Sequence, residues 1–146
     1  MKYLFILLVA SAFAACNNTD QAPKVDKAMA INDKANYTTI EWLDSTTQDI
    51  GKIDQGQTVE ILWHFRNSGN KPLIIANVRP GCGCTGAEGP TEPIAPGKEG
   101  VITAKFNSQN YPGTQHKVVY VKANNSNHNS GDEDILNFTV NVIPPK

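Results

Sequence analysis

The sequence predicts an all-β sandwich on three observations. Apolar and polar residues alternate in about seven short runs, Gly, Pro and Asn turns separate those runs, and no stretch carries a helical period. Period-two alternation sets one face of each strand against a core and the other toward solvent. A small closed barrel produces the same alternation and is the alternative architecture.

Taken from the N-terminus, the chain opens with a signal. Lys2 is a short basic region, Leu4 to Phe13 is an unbroken apolar run, and Ala14-Ala15 places two small residues before Cys16. The run falls short of the roughly 20 apolar residues that a membrane span needs, and it suits the apolar region of a signal peptide. Residues 1–15 therefore read as a lipoprotein signal peptide. Cys16 reads as the lipidated first residue of the mature chain, its sulfur carrying diacylglycerol and its amine an acyl chain, so that lipid anchors the protein without a span. An ordinary secretory signal with an incidental cysteine is the alternative. Residues 16–36 are polar and mixed in charge, and read as the lipidated cysteine followed by a flexible tether with a reach on the order of 25 Å.

The domain then occupies residues 37–146. Thr38, Ile40 and Trp42 alternate with Tyr37, Thr39 and Glu41. The cleanest strand follows, with Val59, Ile61, Trp63 and Phe65 on one face and Glu60, Leu62, His64 and Arg66 on the other. Asn67 to Pro72 is a turn, and Leu73, Ile74, Ile75 and Val78 make the next strand. Pro93 to Gly97 turns the chain into a run in which Ile102, Ala104 and Phe106 alternate with Val101, Thr103 and Lys105. Tyr111-Pro112-Gly113 leads into Lys117 to Ala123, and Leu136, Phe138, Val140 and Val142 close the domain. Trp42 and Trp63 are in phase with apolar neighbours and belong to the core rather than to a carbohydrate platform.

Composition narrows the function classes. The formal net charge is −1, which supplies no basic field of the kind that draws nucleic acid. Of three cysteines, Cys16 is taken by the anchor, so no long-range disulfide framework holds the fold and core packing must do so. No Ser-centred nucleophile elbow, HExxH or phosphate-binding glycine loop is present, and the acidic residues are scattered over turns and polar strand faces.

Several of these runs resemble one family. Trp63-His64-Phe65-Arg66-Asn67-Ser68-Gly69, Lys71-Pro72-Leu73-Ile74-Ile75 with Val78, Gly81-Cys82-Gly83-Cys84-Thr85, and Pro93-Ile94-Ala95-Pro96-Gly97 with Gly100 resemble the domain-of-unknown-function family 1573 over roughly Ile40 to Val142. The resemblance implies an immunoglobulin-like antiparallel sandwich, similar to domains of ciliary and centrosomal proteins, in a secreted or lipid-anchored bacterial protein. It also implies a strand at Asp49-Ile50-Gly51-Lys52-Ile53 that opens the family's domain. It implies no reaction.

Cys82 and Cys84, separated by one glycine, admit three uses. Soft thiolates on one side of a bent loop favour copper or zinc, although two ligands do not close a site. Redox chemistry through a labile disulfide is the second use. Extended Cα atoms two residues apart lie roughly 7 Å from each other, so the bond requires the chain to fold at Gly83. The third is a tight structural corner, with the cysteines packed or oxidised for local rigidity. His64 falls on an outward strand face, and His116 and His128 fall in expected turns, so all three read as surface histidines and not as further ligands.

Two weaker patterns complete the reading. Asp44-Ser45-Thr46 has the form of an acceptor for O-glycosylation at Ser45, with a plain polar turn as the preferred reading. Asn124 to Asp134 contains oxygen ligands but lacks the order of a calcium loop, and reads as a long hairpin tip. The expected protein is thus a lipid-anchored component of a Gram-negative cell envelope, at the outer membrane in preference to the inner. It serves as a binding or assembly module rather than an enzyme and uses no cofactor. Its partners are the bilayer, through acylated Cys16, and a protein or glycan. A redox or metal-handling protein using copper or zinc at Cys82 and Cys84 is the alternative.

Overall fold

Strand β3 (Thr58–Asn67) shows how alternation becomes a wall of the core: Trp63 is 0% exposed between the equally buried Ile61 and Phe65, while Glu60, Leu62 and His64 face solvent. The computed structural model describes Lys27 and residues 31–128 and 132–146. The expected signal peptide, residues 1–15, and the expected lipidation site Cys16 lie outside the described residues.

Among the described residues seven further strands accompany it: β1 (Ile40–Trp42), β2 (Thr47–Asp54), β4 (Ile75–Pro80), β5 (Thr85–Glu88), β6 (Glu99–Asn107), β7 (Gly113–Ala123) and β8 (Asp134–Ile143). They form two four-stranded sheets in the orders β1-β3-β6-β5 and β2-β8-β7-β4. The architecture is the sandwich that the alternation predicts. Its core joins the sheets through aromatic rings: Trp63 and Phe106 of the first sheet pack on Phe138 of the second, at centroid distances of 6.3 and 6.0 Å. Burying each such ring contributes about 2–3 kcal/mol. Trp42 lies at the margin of this core, edge-on to Phe65 at 5.5 Å.

Two features of the sheets differ from the expectation. The second sheet is mixed, because β2 runs parallel to β8. Parallel pairing requires a long connection, and here nearly the whole domain lies between the partners. β2 also breaks period two. Its register shifts between Asp49 and Gly51, where Gly51 takes φ 79°, so Ile50 and Ile53 both pack on the core although they are three residues apart. The second difference is β5, an eighth strand where about seven were expected. Thr-Gly-Ala-Glu has little intrinsic strand preference, and pairing with β6 from Thr85↔Phe106 to Glu88↔Thr103 holds it in place.

Buried amides fasten the connections. Asn124, 0% exposed, donates from Nδ2 to Asn36 O (2.6 Å) and Pro72 O (2.9 Å) and accepts at Oδ1 from Ile74 N (2.7 Å). Asn67 acts similarly, donating to Lys71 O and Ile94 O and accepting from Thr38 Oγ1 and Gly69 N. Lys34–Asn36, which the sequence assigns to the tether, form a 3-10 turn capped by Asp33 and bound to Asn124.

Candidate functional site

The second sheet ends at Pro80, opposite Val119 on β7. Gly81 N donates to Val118 O at 2.8 Å, and a side chain at Gly81 would stand 3.3 Å from that same oxygen, so the chain passes too close to β7 for a larger residue to sit without adjustment. It then leaves the second sheet, turns through Cys82-Gly83-Cys84 and enters β5 on the margin of the first sheet. Thr85 N donates to Cys82 O (3.4 Å) and Asn107 N to Cys84 O (3.2 Å), which closes the corner at both ends.

Cys82 and Cys84 come together where the chain folds at Gly83, an arrangement that serves either the redox use or the rigid structural corner. The Cα atoms stand 5.4 Å apart and the sulfurs are bonded. Both cysteines are half-buried, and Cys84 packs against the core. Thr85 Oγ1, on a residue only 4% exposed, lies 3.7 Å from each sulfur. Sequence reasoning missed Thr85, although its place directly after Cys84 was the available signal. Positions flanking the bond are open: a Cβ on Gly83 or Gly86 would meet nothing within 4 Å. While the bond is intact neither sulfur is the thiolate that copper or zinc requires. Among the described residues no three His, Cys, Asp or Glu side chains group to hold a metal ion.

The histidines are dispersed. His64 is exposed on β3, as expected. His116 lies within strand β7, not in a turn, with Nδ1 3.0 Å from Thr139 Oγ1. His128 also departs from the surface assignment, since its side chain is 14% exposed and faces the buried Asp134 carboxylate at 3.8 Å.

Ser45 is exposed in the connection between β1 and β2. Its hydroxyl donates to Thr47 O (2.7 Å) and accepts from Thr47 N (3.2 Å). Beside it, Asp44 Oδ2 accepts from the backbone N of His64, and this bond, helped by the imidazole, holds the Asp44 carboxyl below its ordinary range. The acidic run at 132–134 diverges. Glu133 pairs with Arg79 at 2.7 Å, Asp134 turns inward to accept from Asn125 Nδ2 at 2.8 Å, and Arg79 stacks on Tyr120 at 4.0 Å. No helix among the described residues is long and apolar enough to cross a membrane.

The fold is shared with solved structures of low sequence identity. A crystal structure of a protein of unknown function from Porphyromonas gingivalis W83 is 18% identical, with a TM-score of 0.63 over 75% of this chain and 49% of that one. This chain thus spans about half the length of that relative. The ASH / PapD-like domain 7 of human CEP192 is 10% identical, with a TM-score of 0.54 over 76% of this chain and 88% of that one. The Vibrio cholerae VesB protease is 9% identical, with a TM-score of 0.53 over 78% of this chain and 34% of that one. At these identities the likeness is one of fold alone. No curated protein matches the chain. Residues 40–142, including the sandwich from β1 to β8 and the Cys82–Cys84 corner, match the family described as "Protein of unknown function (DUF1573)", and the chain belongs to that family.

Proposed function

We propose that the protein is a binding or assembly module of a Gram-negative cell envelope, held to the membrane by lipid on Cys16 and engaging a protein partner through its sandwich domain. The anchor reading is supported by the sequence of residues 1–16. The partner reading is carried by one observation, the open margin of the first sheet at β5. β5 pairs with β6 on one side, and the backbone groups on its other side face away from the sheet, where an extended segment of another chain adds a strand. Gly86 is exposed there and carries no side chain, so main-chain approach at that position meets little obstruction. Glycans, the other partner class compatible with the sequence, have no comparable feature in their favour.

A photo-crosslinking residue at Glu88, in the full chain expressed in its own envelope, tests this reading. A discrete adduct from Glu88, absent from the same residue at Lys52 on the opposite sheet, is expected. Equal labelling from both positions, or none from either, defeats the partner reading. Loss of the protein from the membrane fraction in Cys16→Ala checks the anchor separately.

A further inference from the structure

We infer that the Cys82–Cys84 bond is a thiol–disulfide exchange site, with Cys82 Sγ the sulfur attacked and a dithiol the reductant. The inference does not rest on the binding role.

The first support is what the bond does for stability. A link across a single intervening residue removes little entropy from the unfolded chain, about half of what closing a fifteen-residue loop removes by the loop-closure relation. The aromatic core far outweighs it. The second support is access. The half-buried cysteines sit at a corner between the sheets, and a Cβ added at Gly83 or Gly86 would meet nothing within 4 Å, so the corner is not sealed. The third is Thr85, whose hydroxyl stands equidistant from the two sulfurs at 3.7 Å and is placed to donate to whichever one leaves as thiolate. The corner is also asymmetric. Cys84 packs against the core and its carbonyl is tied to Asn107 N, which makes it the fixed sulfur.

The exchange balances without a further oxidant. A thiolate of the dithiol attacks Cys82 Sγ, the Sγ–Sγ bond breaks, and its electron pair leaves on Cys84 Sγ, which takes the Thr85 hydrogen bond and then a proton from water. The second thiolate of the dithiol attacks its partner sulfur in the mixed disulfide and releases Cys82 as a thiolate. The dithiol becomes a disulfide, losing two electrons, and Cys82–Cys84 gains them.

The test uses the purified full chain under native conditions with dithiothreitol as the probe. Alkylation at Cys82 and Cys84 is mapped by peptide mass while tryptophan fluorescence reports the fold. Reduction at least about tenfold faster than global unfolding, with fluorescence unchanged, is expected. Reduction that only keeps pace with unfolding, or cysteines that are free as isolated, overturns the inference. In Cys84→Ala and Cys82→Ala, glutathione disulfide should load Cys82 at least about threefold faster than Cys84, and equal or reversed rates refute the order of attack. Thr85→Val should slow native reduction by about threefold while the tryptophan-monitored unfolding midpoint stays close to that of wild type; unchanged reduction removes Thr85 from the mechanism.

Discussion

Asp44 grips His64 twice: its Oδ2 accepts from the His64 backbone N at 2.7 Å and faces His64 Nδ1 at the same distance. One carboxylate oxygen thereby ties the β1–β2 connection to β3. The backbone bond is the larger cause of the lowered Asp44 pKa, so the folded state favours the charged form. A depressed carboxylate pKa contributes stability above the unfolded value, and that contribution is lost as pH falls through the folded value. Asp44→Asn should therefore cost about 0.5 kcal/mol at neutral pH, a small figure because the pair is solvent-exposed. The difference from wild type should close as pH falls below the ordinary carboxylate range. Urea melts at neutral and acid pH check this, and a difference that persists in acid contradicts it.

Phe138 is the ring of the second sheet on which Trp63 and Phe106 both pack. Phe138→Ala should remove about 3–5 kcal/mol, combining lost burial with the cavity left in a wall that cannot collapse. Denaturant unfolding followed by tryptophan fluorescence measures it directly. A loss below about 1 kcal/mol would mean that the two sheets are not joined through this ring.

A side chain at Gly100 would stand 2.6 Å from Phe65 Cζ and 3.1 Å from Ile94 Cδ1. Gly100→Ala is expected to destabilise by about 1–3 kcal/mol through overpacking, despite being a mild change on most surfaces. A thermal melt showing an unchanged or raised midpoint would refute the close packing of β6 on β3.

Replacing both cysteines of the corner, Cys82→Ser with Cys84→Ser, should lower stability by only about 1–2 kcal/mol and leave the cooperative transition intact. Calorimetry provides the check. Failure to fold would show that the corner governs the assembly of both sheets.

Asn124→Ala should cost about 3 kcal/mol, since it leaves Asn36 O, Pro72 O and Ile74 N without their partner. It should also expose the Lys34 peptide bond to trypsin under native conditions. Cleavage at Lys34 no faster than in wild type would show that other contacts hold the turn.

How far the sequence discloses this arrangement depends on how simply each residue's environment follows from its neighbours. β3, β6, β7 and β8 are legible because in each a run of fully buried residues alternates with more exposed ones, as at Ile102, Ala104 and Phe106. β2 is visible only through the family resemblance, because the extra residue at Gly51 moves Ile50 and Ile53 out of phase. β5 carries no pattern of its own, and partners in β6 distant in sequence define it. Asn67, Asn124 and Asn125 read as turn residues, yet all are fully buried, because a short amide that satisfies several backbone groups is indistinguishable in sequence from one that meets water. For Cys82 and Cys84 the spacing is compatible with a bond or with none. Only the path from one sheet to the other, bent at Gly83, brings the sulfurs together.

The hold that Asn124 keeps on Asn36 has a mechanical consequence. Tension arriving along the chain from before Lys34 meets this amide clamp before it meets β1, whose three residues make the shortest strand among the described residues. The clamp hands the load to Pro72 and Ile74 as well, across the connection that joins β3 to β4, so the pull is shared between both layers instead of peeling one strand from its neighbour. On the lipid anchoring proposed for Cys16, this clamp is where the domain would take up a pull along its tether.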